Sequence, residues 1–405
     1  MAAMSSYLRD RAGEQRVTNI ELFFDLVYVF AVTQLSHHLL AHPTVKGALD
    51  TALLLGIVWL AWAYTAWVTN WFDPERLGLR AVLLAQMLAA LVMSAGLPEA
   101  FEHRGLMVAG ALVAMQVGRT IFVVFVIPKG PLRRNFERIL TWLAVSGTLY
   151  LAGGFATGHA RELLWLLAVA VDVCGAAVGF YTPGLGRSRT EEWTIAGGHF
   201  AERCQLFMII ALGESIVVIG AALAAAHPIS ARSVAAFVTA FAGSVALWWV
   251  YFDRSAADGA RIIAASRDPG RLGRSAYTWV HPIMVAGIIV AAAADQRVFE
   301  HPAVPADTPT AWMVLGGGGL FLAGHATFKA IVWRVVPWTR LAAVAVLALL
   351  GLAAPHVSAL SLAIAAVAVV VAVAASDRQI VSHPSRRAPS RPVSESGQSD
   401  GVGLP

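Results

Sequence analysis

The chain has 405 residues, of which 58% are hydrophobic and 14% charged, with a mean hydropathy of +0.66; such a composition excludes a string of soluble domains and belongs to a membrane protein. The formal charge of +5 comes from basic residues scattered between apolar runs, with no patch of interleaved bases and aromatics, which argues against a nucleic-acid surface. Two cysteines, Cys174 and Cys204, exclude a disulfide framework and a cysteine zinc site, so they read as small packing residues.

Residues 1–15 contain no apolar core and no small-residue cleavage site, so the first apolar run is expected to serve as a retained targeting signal. Runs of about 20 apolar residues predict twelve spanning helices. Six lie at 20–40, 49–69, 79–97, 105–127, 135–155 and 161–181, and six more at 199–225, 231–252, 275–295, 310–334, 338–354 and 357–375. Breakers such as His42-Pro43, Asp73-Pro74, Pro183-Gly184 and His227-Pro228 separate them, whereas only Pro355-His356 divides the last two, which also fit a single re-entrant hairpin. The fold class expected is therefore an all-α polytopic membrane protein. Residues 1–19 form an amino-terminal tail, 20–181 and 199–375 two six-helix units, 182–198 a linker, and 376–405 a disordered tail rich in Ser, Pro, Arg and Gly.

Of the 30 basic residues, 24 fall in or beside the tails and the even-numbered loops, five in or beside the odd-numbered loops, and Arg119 inside a span. That asymmetry predicts both termini in the cytoplasm of a cell-membrane protein. The halves also echo one another. Glu21 opens the first span and Phe72-Asp73 follows the second; Glu202 opens the seventh and Phe252-Asp253 follows the eighth. DPERLG at Asp73 leads into the third span as DPGRLG at Asp268 leads into the ninth, and Gly118-Arg119 has a counterpart in Gly324-His325. Six helices per unit is an even number, so the expected repeats are parallel, related by an axis along the membrane normal.

Ionisable residues inside apolar spans are the candidates for chemistry, because a carboxylate at the centre of a bilayer costs about 2.5–3.5 kcal/mol even on lenient insertion scales. Glu21 and Asp25 share one face of the first span. Glu21 either caps the helix or joins a site, and Asp25 either forms a structural ion pair or binds a ligand or proton. By depth, Arg119 of the fourth span is the expected partner of Asp25, with Asp172 of the sixth as the competing acid. Glu214 lies about 18 Å beyond Glu202 along the seventh span, without a local base, and is a candidate for reversible protonation or for a hydrogen bond to a neighbouring helix. His281 and His325 fall at similar depth, with Glu202 the nearest acid by the same count. Proton relay, metal binding and plain burial are all open to them, although no HExxH spacing supports a metal. A histidine recurs in or beside each odd-numbered loop, at His42, His103, His159, His227, His301 and His356. Trp59, Trp62 and Tyr64 lie too deep for an interfacial belt and either line a cavity or pack the core.

Three motifs in order, ELFFDLVYVFAVTQL from Glu21, ERCQLFMIIALGESIVVIG from Glu202 and WWVYFD from Trp248, make the chain similar to the bacterial low temperature requirement A (LtrA) family over most of residues 15–375. The resemblance implies a membrane location and an association with growth in the cold, and it brings no established biochemical activity. From the residues themselves the leading expectation is a secondary transporter or proton-linked permease, its partners membrane lipid and a proton or small molecule. The alternatives are an intramembrane enzyme acting on a lipid or isoprenoid, and a channel or sensor. No metal or cofactor is expected, and the glycine run Gly316–Gly319 lacks the strand that precedes a phosphate loop.

Overall fold

The computed structural model describes residues 7–9, 15–190, 193 and 195–382, the last five by backbone alone. In chain order the helices are α1 (Asn19–Ala41), α2 (Val45–Trp71), α3 (Leu77–Gly96), α4 (Gly105–Val126), α5 (Pro131–Phe155), α6 (His159–Ala177) and α7 (Gly197–Ala225). They continue as α8 (Ala231–Phe252), α9 (Ser255–Ala264), α10 (Pro269–Leu272), α11 (His281–Glu300), α12 (Thr308–Trp333), α13 (Trp338–Leu350) and α14 (Ala359–Ser382), with a π-helical turn at Gly273–Thr278 between α10 and α11. Isolated bridges are the extent of β pairing among the described residues.

Polar side chains mark where several helices begin. Thr44 Oγ1 accepts the Gly47 N–H (3.1 Å), Ser230 Oγ that of Ser233 (3.0 Å), and Asp307 Oδ1 that of Thr310 (2.9 Å), each occupying a backbone donor that the first turn leaves open. The Glu21 carboxylate accepts both the N–H (3.0 Å) and the hydroxyl (2.9 Å) of Thr18, so the capping role expected of Glu21 is present.

Each of the twelve predicted runs is a helix, but nine helical stretches among the described residues are long and apolar enough to cross a membrane. α5 and α6 fall outside that set; α5 carries Arg133, Arg134, Glu137 and Arg138 in its first turns, and α6 carries Arg161, Glu162 and Asp172. α13 has 13 residues, short of the thickness of a hydrocarbon layer. The eighth and ninth predicted spans lengthen into Ala231–Ala264 and Pro269–Glu300, taking up the long loop between them. α14 passes the predicted boundary at 375, and Asp377 pairs with the buried Arg340 of α13. Beyond 382 the predicted tail lies outside the described residues, as do residues 1–6 and 10–14 of the amino-terminal one.

Packing follows one circuit twice. α1 packs on α2 and α3, α3 on α4, α4 on α5, α5 on α6, and α6 returns to α2. α7 packs on α8 and α11, α11 on α12, α12 on α13, α13 on α14, and α14 returns to α8. The two sets meet along α1 and α2 against α7 and α11. α11 and α12 cross closely because glycines face each other there: a Cβ on Gly287 would stand 2.5 Å from the Phe321 nitrogen, and one on Gly317 2.8 Å from that of Ala291. Large apolar side chains such as Leu88, Phe125 and Val217 point outward, as lipid-facing surfaces require.

Candidate functional site

At the meeting of the two helix sets, α1 presents Glu21 and Asp25 on one face because they are four residues apart, and α7 presents His199 and Arg203 by the same spacing. All four are buried. Arg203 donates to Asp25 in bidentate fashion, Nε to Oδ2 at 3.0 Å and Nη2 to Oδ1 at 2.5 Å, while its Nη1 donates to Glu21 Oε1 (3.0 Å) and Thr69 Oγ1 (2.9 Å). The Trp62 indole adds a bond to Asp25 Oδ1 at 2.7 Å. His199 Nε2 stands 3.1 Å from Glu21 Oε1, and its Nδ1 is 3.1 Å from the Asn70 side-chain amide, which also clasps the backbone of Ala196. Arg9 reaches in from the amino-terminal segment to Glu21 Oε2 at 2.7 Å. Two carboxylates and two guanidiniums balance in charge, and nearly every lone pair has a donor, which is what makes burial of such a group tolerable.

Arg119 pairs neither with Asp25, its expected partner, nor with the competing acid Asp172. Depth along the membrane normal matched Asp25 to Arg119, but helix rotation turns Asp25 toward α7, whose Arg203 satisfies both carboxylate oxygens. Arg119 bonds instead to Thr65 Oγ1 (2.8 Å) and Gln116 Oε1 (2.6 Å) and lies over the Tyr64 ring, and Asp172 accepts the Tyr150 hydroxyl (3.1 Å).

Farther along the same seam, Glu214 of α7 accepts the Thr33 hydroxyl at 2.5 Å and is 3.4 Å from that of Ser36, both on α1. This is the contact to a neighbouring helix that the sequence left open as one alternative. Between the two levels lies Tyr28, buried, its hydroxyl without a hydrogen-bond partner. Glu202 lies apart from the cluster. Its carboxylate accepts the Val17 N–H (3.2 Å) and lines a cleft of about 740 Å³, with Gln15, Arg16, Gln205 and Arg261, whose wall also includes His199.

His281 and His325 belong to a separate aromatic nest with Tyr251, Tyr277 and Phe328. His281 Nε2 is 2.8 Å from the Tyr251 hydroxyl and its Nδ1 3.1 Å from the Ala276 carbonyl, and His325 receives Arg340 Nε at 3.4 Å. Glu202 is not their partner, and among the described residues no group of three or more His, Cys, Asp or Glu is placed to hold a metal ion. Of the deep aromatics, Trp59 and Trp62 pack against Phe207, whereas Tyr64 lines a cavity.

Sequence reasoning missed Arg9, His199 and Asp295. Arg9 stood in what read as a plain tail and His199 at a span edge. Asp295 fell on a predicted span end, yet it lies beside Ser244 and Gly318 in a small cavity between α8, α11, α12 and α14, with no hydrogen-bond or ion-pair partner among the described residues. A charge inside an apolar run was the available signal for it.

These features define an all-helical, multi-pass membrane protein whose two helix sets are joined through a buried ionic network. The chain belongs to the bacterial low temperature requirement A protein family, whose model matches residues 16–375. It is 33% identical over 345 residues to an uncharacterized protein of Rhizobium meliloti, a match covering 84% of this chain and 83% of that one. No solved structure matches it.

Proposed function

We propose that this protein is a proton-linked secondary transporter of the cell membrane, with both termini cytoplasmic and its coupling site on the α1–α7 seam. The observation that carries the reading is the ladder of titratable and hydroxyl groups along that seam: His199, Glu21 and Asp25 at one level, Tyr28 beyond them, then Thr33, Ser36 and Glu214. A cleft wide enough for water reaches the first rung at His199. Carboxylates and histidines held at membrane depth are the usual groups of proton relays, and their position between two moving halves is where alternating access needs them. The doubled packing circuit supports the reading of two like-oriented six-helix repeats.

The test uses energised everted vesicles containing the full chain and a fluorescent reporter of the pH gradient. Addition of a transported solute from pools of amino acids, sugars, organic acids or cations collapses part of the gradient, and Glu214→Gln, which keeps the side-chain shape and one oxygen to accept from Thr33, abolishes the collapse while expression persists. Vesicles that respond to none of the pools, or that respond equally with Glu214→Gln, overturn the proposal.

A further inference from the structure

The outward face of α6 is an apolar stripe without a charge in it. Leu163, Leu166, Leu167, Val173, Ala177 and Val178 are all exposed and fall on one side of the helix by its period, whereas Asp172 is turned inward to Tyr150. From Leu163 to Val178 the helix rises about 22 Å, more than one leaflet of a hydrocarbon layer about 30 Å thick. An exposed apolar surface of that length is one that acyl chains cover.

Where the stripe ends, the surface turns basic. Ala177 and Val178 line an open cavity of about 330 Å³ together with Arg187, Arg189 and Arg274, and no Asp or Glu lines it among the described residues. Glu191 and Glu192 follow in the sequence and lie outside those residues. Arg274 is half-buried and held in place: its Nη1 donates to the Ala176 carbonyl (2.8 Å) and its guanidinium lies over the Trp193 ring, while its Nε and Nη2 have no partner among the described residues. Arg187 is exposed and has neither a hydrogen bond nor an ion pair among them. The negative end of α6 is offset here, because the Val178 and Phe180 N–H groups and Arg274 take the carbonyls of Cys174, Gly175 and Ala176. Asp268 accepts from Thr190 Oγ1 (3.0 Å) and from the Arg271 N–H (2.8 Å) and does not line the cavity. The exposed Tyr181, just past the stripe, is the kind of ring that sits at headgroup level.

We propose that this cavity binds the headgroup of an anionic phospholipid, with its phosphate between Arg187 and Arg274 and an acyl chain along the α6 stripe. Basic pockets at helix ends are suited to such headgroups, and arginine matches the geometry of a phosphate. A free phosphate shares the head chemistry but makes no use of the stripe, and the junction of the two surfaces is what selects a lipid. The site does not depend on the proton-linked reading, since it lies away from the α1–α7 seam.

The experiment titrates the full-length protein in neutral detergent with phosphatidylglycerol or with phosphatidylcholine of the same chains, and counts bound lipid by native mass spectrometry. The expected result is saturable retention of phosphatidylglycerol in preference to phosphatidylcholine, undiminished by millimolar glycerol 3-phosphate. Arg187→Gln removes an exposed group without a partner, so the melting temperature stays unchanged while phosphatidylglycerol binds about fivefold more weakly, the scale of one arginine at an anionic surface. Arg334→Gln, the same loss of charge at the exposed end of α12, leaves that binding as it was. Equal retention of the two lipids overturns the proposal, as does an Arg187→Gln effect no larger than that of Arg334→Gln. Displacement of phosphatidylglycerol by glycerol 3-phosphate or inorganic phosphate also overturns it, in favour of a soluble anion.

Discussion

Arg203 of α7 and Asp25 of α1 form a two-point ion pair, at 3.0 and 2.5 Å, with neither side chain in contact with solvent. Because each residue belongs to a different helix set, the pair fastens the two sets together. Removing one charge leaves the other buried and unpaired, which costs about 3–5 kcal/mol, whereas removing both costs less. Arg203→Met is therefore expected to lower the melting temperature in detergent sharply, and the double change Asp25→Asn with Arg203→Met to recover part of the loss. A double variant at least as unstable as the sum of its single changes would contradict this.

Trp62 makes a narrower version of the same argument. Its indole N–H donates to Asp25 Oδ1 at 2.7 Å, and a hydrogen bond to a charged group contributes about 1.5–3 kcal/mol. Trp62→Phe keeps an aromatic ring against Phe207 and is expected to lower stability by roughly that amount, read from thermal unfolding by near-ultraviolet circular dichroism.

The α11–α12 crossing predicts a contrast between glycines on neighbouring helices. Gly287→Ala forces a methyl group to within 2.5 Å of backbone and is expected to cost about 1–3 kcal/mol. Gly319 has nothing within 4 Å of the added methyl, so Gly319→Ala is expected to be neutral or mildly stabilising, by up to about 1 kcal/mol of helix propensity. Parallel melting curves of the two variants check it, and equal effects would remove the close-approach explanation.

Acid acts on the start of α12. Burial pulls the Asp307 carboxyl upward, but the Thr310 hydroxyl and N–H together with Arg297 outweigh it and hold the group below the usual carboxylate range. A carboxyl lowered on folding contributes stability above its unfolded pKa and loses it as pH falls through the folded value. Asp307→Asn is thus expected to be slightly less stable than the parent at neutral pH and indistinguishable from it at strongly acidic pH. Melting temperatures across that range measure it; a gap that widens on acidification would reverse the sign.

Much of the fold was readable because apolar length and breakers are local properties of a chain. The twelve runs came from that signal, and so did the fall to nine stretches of spanning character: Arg133, Arg134, Glu137 and Arg138 were visible in α5, as was the shortness of the run before Pro355. The site was legible one partner at a time. Glu21, Asp25, Arg119 and Glu214 stood out because charge in an apolar run demands a reason. Which groups meet depends on helix rotation and on the contact between distant helices, and depth alone carries neither. Hence Asp25 was matched to Arg119, whereas its actual partner is Arg203, near the start of α7. Arg9 was invisible for another reason, since nothing in a short polar segment says that it folds back onto a helix start.

The separation between the members of the ion cluster sets an order of events during synthesis. Asp25 precedes Arg203 by 178 residues, and at about 5–20 residues per second roughly ten to forty seconds pass before the cation emerges from the ribosome. Through that interval Asp25 is without its counter-ion, whereas Glu21 already has Arg9. Closure of the cluster, and with it the junction of the two helix sets, therefore waits on the synthesis of α7.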